Sequence, residues 1–185
     1  MQLEDLIRFI NNTEFLNQIE SSKIPNINLY MDQVLSFMNE NLEHYKRNPS
    51  DKILTKSMIN NYVKNEIIPK PERKKYYPQH IIVLIYIFYL KQVLSLDDVQ
   101  TIISQYTDKH FKTDNNDLYK AFLEFEQKEE DNLEKELESL ANSLYNHCSA
   151  ENFGDDEIIF LFIMLLSSRA NTYKVLIEKL IDSLS

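Results

Sequence analysis

The stretch "LTKSMINNYVKNEIIPKPERKKYYPQH", residues 54–80, departs from the rest of its chain. The protein carries a formal net charge of -9, yet this segment concentrates Lys, Arg, Asn and Tyr. Leu54 precedes Thr55, a residue suited to N-capping, and Met58, Ile59, Tyr62 and Val63 then recur at helical spacing. The pattern predicts a short helix over 55–66. Pro69 and Pro71 bracket Lys70 and cannot continue it, so a basic loop runs on to Tyr77. Pro78 suits the first position of a further helix, 78–92, built on the apolar run IIVLIYIFYL. How this order is read decides the fold.

Composition narrows the choices around it. Of the 185 residues 43% are hydrophobic, with ten Phe and eleven Tyr, enough for a packed core and against disorder. One Gly and five Pro are too few for a protein of many hairpins, which leaves helices joined by polar loops. The start MQLEDLIRFI lacks the pattern of a signal peptide, and the single Cys148 has no internal disulfide partner. The longest apolar runs, residues 81–90 and 158–166, are shorter than the ~20 residues that span a bilayer. Both are expected to be buried helices of a soluble, cytoplasmic protein without membrane partners.

Charge is uneven. Residues 46–75 carry nine cations and three anions, whereas residues 121–185 carry five and fourteen. A basic island in an acidic body favours local, oriented contact with a polyanion.

Spacing organises the remainder. Leu3, Leu6, Ile7 and Ile10 predict an N-terminal helix interrupted near Asn11–Thr13, and Pro25 an extended link over 24–30. Met31, Val34, Leu35, Met38 and Leu42 place a helix over 30–45. Ser95-Leu96-Asp97-Asp98 opens another over 96–106, in the manner of a capping box. The polar stretch 107–117 reads as a boundary. Beyond it a long acidic-faced helix, 117–147, and a last helix, 156–183, form a hairpin about Gly154. The expected domains are an N-terminal helical arm (1–24), a head that carries the basic island (25–106) and a C-terminal helical region (107–185).

On the face of 55–66 opposite its apolar residues lie Lys56, Ser57, Asn60, Asn61 and Lys64, with Thr55 at its start and Lys52 just before. Asn pairs bidentately with adenine, and Lys and Ser serve bases or phosphates. Lys70, Arg73, Lys74, Lys75 and Tyr76 would form a wing on the adjacent backbone.

This arrangement resembles the DNA-binding domain of the MerR family of transcription regulators over residues 54–103. Thr55 falls on that family's helix-opening Ser or Thr, Tyr62 on its recurrent Tyr, and Ile67-Ile68-Pro69 on its apolar exit. Lys75-Tyr76-Tyr77 falls on its Arg-x-Tyr, and Leu94-Ser95-Leu96-Asp97 on its cap. Asn60, Asn61 and Glu66 stand where the family has Arg, an aromatic residue and a turn Gly. Residues 24–106, with "IPNINLYMDQV" and "DKILTKSMINNYVKNEIIPKP", more closely resemble an uncharacterised bacterial family, domain of unknown function 1836. The resemblance implies an all-α protein: a winged helix-turn-helix (MerR-like) head followed by a long helical hairpin, binding double-stranded DNA as a homodimer.

The segment 158–168 is apolar on all sides and would be the centre of the C-terminal bundle, a dimer interface or a ligand pocket. Its candidate residues are Phe160, Leu161, Ile163, Met164 and Leu165. His147-Cys148 has no second cysteine to complete a metal site, so no metal or cofactor is expected. Asp97-Asp98 and Asp155-Asp156 open helices and serve the dipole there. A single Gly excludes a phosphate-cradling loop, and no nucleophile motif appears, so no enzyme is expected. The alternative function is a protein-interaction module acting through the acidic C-terminal helices without DNA.

Overall fold

The computed structural model describes residues 2–13, 15, 18–111 and 117–184, without the side chain of Asp131. The polar boundary expected at 107–117 therefore lies partly outside the described residues. Among them are seven α-helices and one two-stranded sheet. The chain is mostly helical, as its scarcity of Gly and Pro required. Two compact units divide it: unit 1 is residues 1–17 with 122–176, and unit 2 is residues 18–121 with 177–185.

Unit 2 opens with β1 (Leu29–Tyr30), which runs straight into α2 (Met31–Asn41). Val34, Met38 and Leu42 are completely buried, the face that the helical spacing had marked. The helix is shorter than 30–45, because Leu42 leaves helical geometry at φ -115° and a 3₁₀ turn, Glu43–Tyr45, follows. α3 (Lys56–Lys64) follows, with Thr55 accepting the Met58 N–H at 3.2 Å as its N-cap. Ile67 and Ile68, 1% exposed each, drop the chain back into the core beyond it. Both of their N–H groups reach the Tyr62 carbonyl, at 2.9 and 3.3 Å.

β2 (Lys75–Tyr76) returns antiparallel to β1, pairing Leu29 with Tyr76 and Tyr30 with Lys75. Pro78 then starts α4 (Pro78–Leu90), where it lacks only an N–H that the first turn leaves unused. Ile81 through Ile85 are all buried, so α4 is the central rod of the unit. Truncating one of these isoleucines to Ala removes packing worth about 2–5 kcal/mol. α5 (Leu96–His110) packs Val99 and Ile103 inward, with Ser95 accepting the Asp98 N–H at 3.2 Å.

Unit 1 combines α1 (Leu3–Asn11) with most of α6 (Asp117–Ala150) and α7 (Asp155–Leu184). Leu6 and Ile10 of α1 join Ala141 and Phe162 in one buried cluster, with Leu137, Leu140 and Leu144 packed against it. The N-terminal arm is thus a third helix of the hairpin. Arg169 of α7 pairs with Glu136 of α6 on the surface.

Within the single chain the segment 158–168 is not the fully covered centre of a bundle. Ile158 and Phe162 are buried, but Phe160, Ile163, Met164 and Leu165 are 61%, 55%, 51% and 37% exposed, and Leu161 is half-buried. Two neighbouring helices cover only one side of α7, and the other sides of an all-round apolar helix stay bare. Asp155–Leu184 is also the one helix among the described residues with the length and composition to cross a bilayer.

Candidate nucleic-acid interface

α3 is held at both ends. The Asn39 amide donates to the Leu54 carbonyl at 3.4 Å just ahead of it, and the Gln100 amide of α5 donates to the Asn65 carbonyl at 3.1 Å just beyond. Ile59 and Tyr62 are buried beneath it. That anchoring leaves Lys56, Ser57, Asn60, Asn61 and Lys64 exposed along its outer side, with Lys52 exposed ahead of it. Asn61 Oδ1 accepts the Asn65 amide at 3.3 Å. Thr55 is half-buried, its oxygen engaged as the cap.

The segment after α3 is a tight basic hairpin. The Lys75 N–H donates to the Glu72 carbonyl at 2.8 Å, and Arg73 and Lys74 between them have φ of 48° and 64°. Two successive left-handed residues are the mark of a type I′ turn, which ordinarily takes Asn-Gly. Lys70, Arg73 and Lys74 are exposed. Lys75 is half-buried, its ammonium 5.4 Å from the centre of the Tyr30 ring, within cation–π reach. Glu66, at the exit of α3, also sits at positive φ, 57°.

Tyr76 leaves the expected surface set. It is 3% exposed, because alternation along β2 turns it inward while Lys75 faces out, and its ring meets that of His80 edge-on at 5.5 Å. Its neighbour Tyr77 donates its hydroxyl to Glu72 at 2.6 Å. That bond, with a smaller contribution from burial, raises the phenol above its ordinary pKa. Tyr30, which sequence reasoning passed over, is brought next to the wing by the β1–β2 pairing. Only the alternation around LY (29–30) hinted at it.

His80 supports this hairpin from below. Its side chain is completely buried, and Nδ1 accepts the Tyr77 N–H at 2.9 Å, which leaves the proton of a neutral ring on Nε2. Burial lowers its pKa from 6.5 to about 4, against opposing pulls from the Pro69 carbonyl, Glu72 and Tyr77.

Among the described residues, no salt bridge engages Lys52, Lys56, Lys64, Lys70, Arg73, Lys74 or Lys75. Charge also follows the division into units. Unit 1 holds five of the basic and fifteen of the acidic residues, net -10, which leaves +1 for unit 2. Cys148 is buried in the last turns of α6, and no group of His, Cys, Asp or Glu among the described residues could hold a metal ion.

These features define a helical head with one exposed, cation-rich helix and a strand-clasped basic hairpin beside it. Residues 19–125 match the family model described as domain of unknown function (DUF1836), and the chain belongs to that family. The matched segment nearly coincides with the longer segment of unit 2, residues 18–121. No curated protein and no solved structure matches the chain.

Proposed function

We propose that the protein is a cytoplasmic, homodimeric DNA-binding transcription regulator with a winged helix-turn-helix head of the MerR kind. In this reading α3 enters the major groove, Asn60 and Asn61 meet base edges, and the hairpin at Arg73-Lys74 rests on phosphates. The observation that carries it is the row of cations on α3 and the hairpin without carboxylate partners. Cations left unpaired in a protein of net charge -9 repel one another until a polyanion neutralises them. Occupancy of a promoter by such a head is sufficient for repression.

Fluorescence anisotropy with a labelled duplex, titrated between about 50 and 200 mM salt, tests the reading. Affinity should fall steeply with salt. Replacing Arg73, Lys74 and Lys75 together by Ala should weaken binding to every duplex and reduce the logarithmic salt slope by about one unit per lost phosphate contact. An unchanged slope would remove the hairpin from the interface. A chain with no salt-dependent duplex affinity at all would instead be an interaction module.

A further inference from the structure

Unit 1 contains a cavity of about 230 Å³ between α1, α6 and α7. Leu6, Ile10 and Phe162, each 5% exposed or less, close it on the inside, and Phe9 and Ile163, 64% and 55% exposed, stand at its mouth. Among the described residues Thr13 brings the only polar side chain to its wall, and that hydroxyl already donates to the Phe9 carbonyl at 2.7 Å. Among the described residues no charged side chain lines it.

We propose that this cavity is a binding site for a small, neutral, apolar molecule. A charged or strongly polar ligand would lose its hydration and find no partner there. Water entering through the mouth finds few hydrogen-bond partners on these walls, and a sealed apolar cavity of ~150 Å³ lined by Leu, Ile and Phe prefers benzene to water. This one is roughly half as large again by the same comparison, the size of a fused two-ring aromatic or a short alkyl chain. Ligand pockets usually add a few placed polar groups that fix orientation. With none free here, selection is by volume and neutrality, and molecules of different chemistry but similar size should compete. The site is concave and walled by three helices, so a flat partner surface would bridge its mouth without filling it. The proposal concerns unit 1 alone and stands whether or not the head binds DNA; on the regulator reading the ligand is its effector.

The test uses the full chain and 1-aminonaphthalene, a neutral two-ring probe whose emission brightens and shifts to the blue on leaving water. Saturable binding of one probe per chain is expected, displaced by 1-decanol and at least about tenfold less effectively by decanoate, whose charge must be desolvated. Ile159→Phe fills the cavity and should weaken the probe at least about tenfold. Ile163→Trp, at the exposed mouth and tolerant of bulk, should do the same if the first variant loses helicity. Tyr173→Ser, on exposed apolar surface of α7 away from the cavity, should leave binding unchanged. Unsaturable binding, or binding abolished by Tyr173→Ser and kept by both cavity variants, would place the probe on the bare helix surface and overturn the proposal. Equal displacement by decanoate would overturn the neutral-ligand requirement. Absence of saturable binding to the wild-type chain, whether it sediments as a monomer or a dimer, would overturn the proposal.

Discussion

The Tyr119 hydroxyl donates a hydrogen bond to the main-chain carbonyl of Ile19, one hundred residues earlier. Tyr119 is fully buried and Ile19 is 2% exposed. The first turn of α6 therefore belongs to the head, which explains why the family segment continues to residue 125. Tyr119→Phe keeps the ring packing against Tyr86 but leaves a buried carbonyl without its donor. The expected loss is about 1–3 kcal/mol. A lowered urea midpoint at unchanged slope would show it. A fragment ending at residue 106 lacks this clasp and should show a broad, early transition, whereas 18–125 should unfold cooperatively.

His80 makes a second prediction, in pH. Its folded pKa of about 4 lies below the ordinary 6.5 because burial penalises the imidazolium. Between these values the unfolded chain binds a proton that the folded chain refuses. The stability is complete above about pH 6.5, falls as pH drops, and levels off below about 4. A shift of this size corresponds to about 3 kcal/mol. His80→Gln retains an acceptor for the Tyr77 N–H and does not titrate. Its urea midpoint should change less than that of the wild type from pH 7 to pH 4.5, and parallel curves would refute the burial argument.

The hairpin tip stores strain. Arg73 and Lys74 hold left-handed backbone that costs each non-glycine residue about 1–2 kcal/mol. Arg73→Asn with Lys74→Gly supplies the residues that a type I′ turn favours, and should raise the melting temperature by a few degrees while weakening duplex binding. Glu66→Gly relieves the same strain at the end of α3, and should stabilise by about 1 kcal/mol without touching the cationic surface. A variant of Arg73 and Lys74 that gains stability and keeps full duplex affinity would show that the strain serves nothing.

Much of the head was legible because local signals agreed there. Thr55 marked the start of α3, Pro78 the start of α4 and Ser95 the start of α5, each through backbone chemistry confined to a few residues. The type I′ turn was hidden because Arg-Lys replaces Asn-Gly, so strain, unlike propensity, left no mark. The inward turn of Tyr76 and the approach of Tyr30 to Lys75 depend on strand pairing across 45 residues of chain, which spacing alone does not encode. For α7 the sequence left three readings open (bundle centre, dimer interface, ligand pocket) for a different reason. An apolar run tells that burial is favourable, but not whether its own chain holds enough helices to provide it.

Two asparagines on α3 should differ in what they do. Asn61 already holds the Asn65 amide at 3.3 Å, whereas no such bond occupies Asn60 among the described residues. In the regulator reading Asn60→Ala should relax discrimination among duplexes by about 1–3 kcal/mol, the value of one bidentate base contact. Asn61→Ala should relax it less and fray the end of the helix. Selection of bound sequences from a random duplex pool would compare them, and identical preferences in both variants would mean that α3 does not read bases.

Association is the last prediction, and salt should separate it from DNA binding. Phe160, Ile163 and Met164 lie at i, i+3 and i+4 on α7, so they share one face, and with Leu165 they are 61%, 55%, 51% and 37% exposed. Taking an aromatic or aliphatic side chain as roughly 150–200 Å², they offer on the order of 350 Å² of apolar surface. Each partner in a standard interface buries ~800 Å², of which somewhat more than half is apolar. That is less than the apolar share of a standard interface, so the dimer expected from this face is weak and forms only at tens of micromolar or above. The two units 1 that would meet carry a net charge of -10 each, so added salt should screen their repulsion and tighten the dimer. Duplex affinity should move the opposite way, because salt competes for the same phosphates. Met164→Asp places a charge on a residue that is 51% exposed in the single chain, so it should keep its helicity and sediment as a monomer. A wild-type chain that stays monomeric at tens of micromolar in high salt, or a Met164→Asp variant that still pairs, would remove this face from the assembly.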